Sequence, residues 1–147
     1  MMEHIIRRAI ENDISGLCAL ERECFSSPWS EGAFSDSMKS DTTEFFVCEE
    51  HGDIIGYIGI VCLLDECSVT NICVSSDHRK KGVATALLDA AEKRAAGRGA
   101  LAVFLEVRVS NYAAIALYEG RGYDSCGRRR NFYTKPTEDA FVYKKQL

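Results

Sequence analysis

The chain has no apolar run of about 18 residues, so no segment is expected to cross a membrane as a helix. Its opening, Met-Met-Glu-His-Ile-Ile-Arg-Arg, lacks the apolar core of a signal peptide, and the expected location is the cytoplasm. Excess positive charge is missing too. With 18 Lys and Arg against 22 Asp and Glu, the net charge is −4, which gives no support for nucleic-acid binding. No Cys-x-x-Cys occurs among the 7 cysteines, and the 3 histidines are isolated in sequence. Neither a disulfide framework nor a metal site is expected, and the thiols read as small buried hydrophobes. Both common nucleotide signatures are absent. There is no Gly-x-x-x-x-Gly-Lys-Ser/Thr and no Gly-x-Gly-x-x-Gly after a strand, which argues against a P-loop and a dinucleotide fold.

What is present is an ordinary globular composition, 46% apolar and 27% charged over 147 residues. That length is expected to form one domain, residues 1–147, with a core of its own.

The pattern along the chain alternates strands and helices. Glu3 to Ala9 reads as a first strand. Asn12 and Asp13 can cap a helix carrying Ile14, Leu17, Cys18, Leu20 and Cys24 at three-to-four spacing. Pro28-Trp29 interrupts, and Ser30 caps a second helix through Lys39. Phe45–Glu50 and Asp53–Cys62 flank His51-Gly52 as a hairpin, and Cys67–Val74 follows as a strand. A long helix is predicted from Gly82 to Arg98. Leu101–Val107 is nearly all apolar and predicts a strand buried on both faces. Asn111–Arg121 is a helix, Tyr123–Arg130 and Ala140–Lys145 are strands, and polar Arg128–Glu138 is expected to loop between them. Helical crossovers and hairpins together imply an α/β (α+β mixed) fold. Its centre is a twisted mixed sheet of about seven strands, flanked on both faces by about four helices.

The strongest local signal is Arg79-Lys80-Lys81-Gly82-Val83-Ala84-Thr85, standing between a strand and a helix. The first N–H groups of a helix have no internal acceptor, and its dipole favours an anion there. Gly82 adds no Cβ to obstruct a phosphate. A solvated basic helix start is the plain alternative.

Two further residues stand out. Glu106 lies inside the apolar run, where desolvation would raise its pKa toward that of a useful general base. The alternative is a structural ion pair with Arg108 on the same strand face. Tyr118 lies seven residues after Asn111, on the same helix face, with small Ala114 between them. It can serve as a proton donor or, equally, as a half-buried core tyrosine.

Taken together, Val69–Val74, Arg79–Ala84, Leu105–Asn111 and Ala116–Tyr123 resemble, in order and spacing, the GNAT superfamily of N-acetyltransferases. The six residues Arg-x-x-Gly-x-Ala resemble its coenzyme A pyrophosphate loop. Leu-Glu-Val-Arg-x-Ser-Asn, Pro28-Trp29-Ser30, Arg129–Tyr133 and Glu138-Asp139-Ala140 bring the chain closer to the peptide α-N-acetyltransferases that act on a ribosomal protein. The resemblance covers nearly the whole chain. Cys73 stands where the family often has Ala, Ala84 where it often has Gly, and Phe132 where it often has Tyr.

The resemblance implies direct transfer of an acetyl group from acetyl-CoA to an amine, with no metal. Ile72, Cys73 and Val74 would hold the pantetheine arm, and a Val74 amide would polarise the acetyl carbonyl. Arg79, Lys80, Lys81, Gly82, Val83, Ala84 and Thr85 would form the pyrophosphate seat. Asn111 would touch the cofactor, Glu106 would take a proton from the amine, and Tyr118 would protonate the leaving thiolate. The implied acceptor is a basic protein N-terminus, an alanine of a small-subunit ribosomal protein, with Glu23, Glu31, Asp36, Glu138 and Asp139 attracting it. A small-molecule amine and a non-catalytic acyl-CoA-binding module remain as other readings, and no direct nucleic-acid or membrane partner is implied.

Overall fold

A computed structural model describes residues 4–147. Strand β1 (Ile5–Arg8) leads through a 3₁₀ turn (Glu11–Asp13) into α1 (Ile14–Cys24) and then α2 (Glu31–Met38). Strands β2 (Thr43–Glu50), β3 (Asp53–Leu63) and β4 (Glu66–Val74) follow as a meander. A second 3₁₀ turn (Ser76–His78) precedes α3 (Val83–Gly97), then β5 (Ala102–Arg108), α4 (Tyr112–Gly120), β6 (Asp124–Tyr133) and β7 (Glu138–Gln146). The expected order of elements is present. Glu3, placed at the start of the first strand by its sequence, lies outside the described residues.

The seven strands form one sheet in the order β1-β2-β3-β4-β5-β7-β6. Among neighbouring strands only β4 and β5 pair in parallel, with α3 as the crossover between them. One cluster of buried side chains packs α1 and α2 on the sheet through Leu17, Leu20, Phe34, Phe45 and Tyr57. The other packs α3 and α4 through Leu87, Leu88, Val103, Leu105 and Tyr118. Helices therefore cover both faces, as the mixed pattern requires.

The local signals act as their chemistry dictates, with one exception. Ser30 Oγ accepts the Ala33 N–H at 3.1 Å and starts α2. Asp13 does not cap α1 through its side chain. Its carboxylate turns back to accept the Ile10 N–H at 2.8 Å and a two-pronged Arg7 guanidinium at 2.8 Å on each oxygen. The arginine offers two donors, and this charge-assisted fork outcompetes a single backbone N–H.

Three expectations are corrected. The segment from Arg128 to Tyr133 is not a loop but the second half of β6, and only residues 134–137 form the turn. As the outer strand of the sheet β6 is exposed almost throughout, so it carries no apolar alternation. β5 is not buried on both faces: Val103, Leu105 and Val107 are core, whereas Phe104, Glu106 and Arg108 are half-buried. Lastly, Cys62 and Cys67 face each other across β3 and β4 with Cα atoms 4.1 Å apart and form a disulfide. A spacing of five residues resembles no cysteine motif, and only the hairpin register brings the pair together. Cys126 is exposed, so it is not a packing thiol either.

The histidines are separate only in sequence. His4, His51 and His78 all approach the Glu50 carboxylate, at 3.6, 3.8 and 3.3 Å. Among the described residues no group of side chains is set to hold a metal ion, and no helix is long and apolar enough to cross a membrane.

Candidate active site

Parallel pairing between β4 and β5 covers only Glu66, Cys67 and Ser68 opposite Ala102, Val103 and Phe104. Beyond that point the strands separate. The cause lies on the other side of β4. Gly59 pairs with Asn71 while Ile60 pairs with Val69, so Thr70 is an extra residue, a β-bulge. A Cβ on residue 59 would sit 2.7 Å from both the Phe45 ring and Thr70 Oγ1, so only glycine fits opposite the bulge. The bulged strand bends away and leaves a gap over Ile72–Val74 with no β5 partner.

The gap opens into two adjoining cavities of about 580 and 620 Å³. Cys24, Phe25, Ile72, Asn111 and Tyr118 line both and mark the joint between them.

The second cavity runs from Ile72, Cys73 and Val74 to the start of α3, where Arg79, Lys80, Gly82, Val83, Ala84 and Thr85 form its wall. Lys81 is exposed and stands outside that wall. Gly82 precedes α3 with φ 81°, a left-handed conformation, and nothing lies within 4 Å of where its Cβ would be. Glycine is therefore demanded by backbone angle rather than crowding, and the space above it is open. Turn and helix meet where Ala86 N–H bonds Gly82 C=O at 3.0 Å. The N–H groups of Val83, Ala84 and Thr85 are left without an intrahelical acceptor, the arrangement that favours an anion at a helix start. Arg79 leans back onto β4, its Nε donating to Val74 C=O at 3.3 Å.

The first cavity lies between Val69–Ile72 and Leu105–Arg108, closed by Trp29 on one rim and Phe132 and Tyr133 on the other. Glu106 faces this cavity with 25% of its side chain exposed, so the apolar run around it does not seal it from solvent. Its ionic partner is Arg129 Nε of β6 at 3.3 Å. The alternative pair with Arg108 does not form. Arg108 is drawn the other way, to Glu138 at 3.1 Å and to the Thr134 and Pro136 carbonyls at 3.0 Å. Its guanidinium also lies 4.5 Å above the Tyr133 ring.

Asn111 is the N-cap of α4, its side chain accepting Ala114 N–H at 3.2 Å, and one helical face carries Asn111, Ala114 and Tyr118 to the second cavity. Tyr118 is 5% exposed. Burial holds its phenol well above the usual tyrosine range, and nearby Tyr133 adds to this. Tyr133 itself is pushed up to about 12, by burial first and then by Glu106.

Of the carboxylates proposed to attract a basic chain, Glu23 is held by Ser76 N–H, Glu138 by Arg108 and Ser110 N–H, and Asp139 by Arg128 and Asn131 N–H. The carboxylates on the cavity wall are Glu106 and Glu21. Sequence reasoning missed Glu21, which is 1% exposed and accepts the Trp29 N–H at 2.8 Å and the Tyr57 hydroxyl. Its signal was available. It lies four residues after Leu17 on the apolar stripe of α1, where a carboxylate must have partners.

Comparison with known proteins places this geometry among relatives. The family model described as Acetyltransferase (GNAT) family matches residues 14–123. The chain is 34% identical, over 88% of each chain, to the ribosomal protein bS18-alanine N-acetyltransferase of Escherichia coli K12. It is 33% identical to the Salmonella typhimurium protein of the same name, again over 88% of each. The crystal structure of the ribosomal-protein-S18-alanine N-acetyltransferase from Escherichia coli superposes with a TM-score of 0.90 at 31% identity, covering 99% of this chain and 94% of that one.

Proposed function

The chain belongs to the acetyltransferase (GNAT) family, whose enzymes use acetyl-CoA, and we propose that it acetylates the N-terminal α-amine of a protein, as one cytoplasmic domain. The acceptor that fits best is the N-terminal alanine of a small-subunit ribosomal protein, the substrate in the names of its relatives. One observation carries the reading: Tyr118 and Asn111 stand where a cavity ending in an anion seat meets a cavity walled by Glu106.

Acetyl-CoA fits the second cavity on the chain's own features. The amides of Val83, Ala84 and Thr85 are free to receive the pyrophosphate, with Lys80 beside them. The unpaired stretch Ile72–Val74 offers backbone groups to an extended amide-bearing arm, much as an edge strand accepts another strand. When bound, acetyl-CoA supplies an activated thioester carbonyl.

The remaining work falls to side chains. Glu106 takes a proton from the incoming ammonium, directly or through water, while Arg129 orients the carboxylate. Tyr118 stays protonated at neutral pH because its burial disfavours phenolate, so it is ready to donate to the departing sulfur. An α-amine suits this modest machinery. Its reference pKa is about 8 against about 10.4 for lysine, so near pH 7 it needs about 3 kcal/mol less to become a nucleophile.

The test is tandem mass spectrometry of Ala-starting basic peptides incubated with acetyl-CoA. The reading expects the acetyl group on the α-nitrogen and pre-acetylated peptides inert. Acetyl found only on lysine side chains contradicts it.

A further inference from the structure

The connection between α1 and α2 forms one rim of the first cavity, which Phe25, Ser26, Ser27 and Trp29 line. Residues 26–29 make no backbone–backbone hydrogen bond among the described residues. A side chain ties this stretch down instead. Glu21 Oε1 accepts the Trp29 N–H at 2.8 Å, and Glu21 Oε2 accepts the Tyr57 hydroxyl of β3. One end of the Asn71 amide of β4 lies 3.3 Å from that second oxygen and 3.3 Å from the Trp29 indole nitrogen. Helix α1 and strands β3 and β4 thus converge on one carboxylate that holds a tryptophan. Glu21 is 1% exposed with both oxygens engaged, so it is not free to meet a substrate. Tyr57 is fully buried behind it and lines neither cavity. Trp29 is half-buried, with the Phe34 and Phe45 rings 5.2 and 6.1 Å from its own. A ring already in place costs a ligand less to bind against than a ring that must be ordered on binding.

We propose that Glu21 and Tyr57 are positioning residues for the acceptor: they fix Trp29 as the wall against which the first residues of the acceptor chain are seated, and touch neither acceptor nor acetyl-CoA. The seating, though not the hold on Trp29, rests on the reading of the first cavity as the acceptor site. The effect is confined to that side of the joint. Glu21, Trp29, Tyr57 and Asn71 are all absent from the wall of the second cavity. Tyr57 gives the sharpest form of the proposal. Its ring packs against Phe34 and Phe45 at 5.7 and 6.2 Å, and only its hydroxyl reaches Glu21. Removing one oxygen from a residue outside both cavities should therefore change how the acceptor binds.

The experiment compares the whole chain with Tyr57→Phe, which keeps the packed ring, and with Glu21→Gln, which keeps the shape of the side chain. Three quantities are read on each: KM and kcat for an Ala-starting basic peptide, acetyl-CoA affinity by calorimetry, and acrylamide quenching of Trp29, the only tryptophan in the chain. In Tyr57→Phe the peptide KM should rise about three- to tenfold, the scale of one net hydrogen bond, while kcat and acetyl-CoA affinity hold within about twofold. Quenching should increase, because the ring is held less firmly. Glu21→Gln should move the same quantities in the same direction. Unchanged peptide KM and unchanged quenching in Tyr57→Phe would overturn the proposal. So would a fall in acetyl-CoA affinity in step with the rise in peptide KM, which marks general loosening of the fold. A wild-type chain that acetylates no peptide contradicts the acceptor reading and the seating together, while the hold on Trp29 is still read from the quenching.

Discussion

Glu106 on β5 pairs with Arg129 on β6 at 3.3 Å, reaching past β7 and ignoring Arg108 two residues along its own strand. The relationship matters because the partner is itself 59% exposed. A carboxylate held in this way is oriented yet reachable, which suits a base better than a closed ion pair would.

Glu106→Gln is expected to lower turnover by about 10²-fold or more, the usual scale of acid–base catalysis, while acetyl-CoA binding stays intact. Steady-state kinetics with calorimetry on the same sample checks both halves. Near-normal turnover at pH 7 would make Glu106 a structural partner of Arg129 only.

Tyr118→Phe keeps the ring and removes the donor. The fold should survive and turnover should fall by about 10²-fold. Because burial raises the phenol above its ordinary value of about 10, ionisation of Tyr118 should cause no loss of rate below about pH 10. Wild-type turnover in an assay limited by chemistry would remove the assigned role.

Gly82→Glu should abolish acetyl-CoA binding for two reasons. The position has φ 81°, which a side-chain-bearing residue resists, and a carboxylate would occupy the open space where the pyrophosphate approaches. Calorimetry showing unchanged affinity would refute the pyrophosphate seat.

Acid should destabilise the protein through two carboxylates remote from the trough. Asp13 is held below its ordinary range by the Arg7 fork. Glu44 is buried, which alone would raise it, but bonds from Arg94 and Arg98 with the charge of Arg8 bring it below its usual value. Both folded values lie below the unfolded ones, near 4. Their contribution is therefore present above about pH 5 and lost as the pH falls through the folded values. Denaturant midpoints measured from pH 7 to pH 3 should drop below about pH 5. A flat profile would show that these pairs contribute nothing.

How much of this was legible in the sequence depends on what each signal reports. Ser30, Gly82 and Asn111 mark helix starts because capping is local chemistry, and the structure uses all three. The hairpin at His51-Gly52 is equally local. The second half of β6 was hidden because an outer strand exposed on both faces has no alternation to read. Partners were the hardest to foresee. Arg129 reaches Glu106 from two strands away, Glu21 meets Tyr57 across 36 residues, and Cys62 meets Cys67 through register alone. Each of these pairings is a product of topology, which one-dimensional spacing does not carry. The trough itself comes from a single extra residue, Thr70, whose effect on the β4–β5 gap no composition or motif announces.

The most direct test of the account is a comparison of kcat/KM between an Ala-starting basic peptide with a free α-amine and a small polyamine or aminoglycoside, under saturating acetyl-CoA. The cavity walled by Glu106, Trp29 and Tyr133 should favour the peptide, with the acetyl group on its α-nitrogen. A much higher kcat/KM for spermine or an aminoglycoside than for any Ala-starting peptide would contradict it.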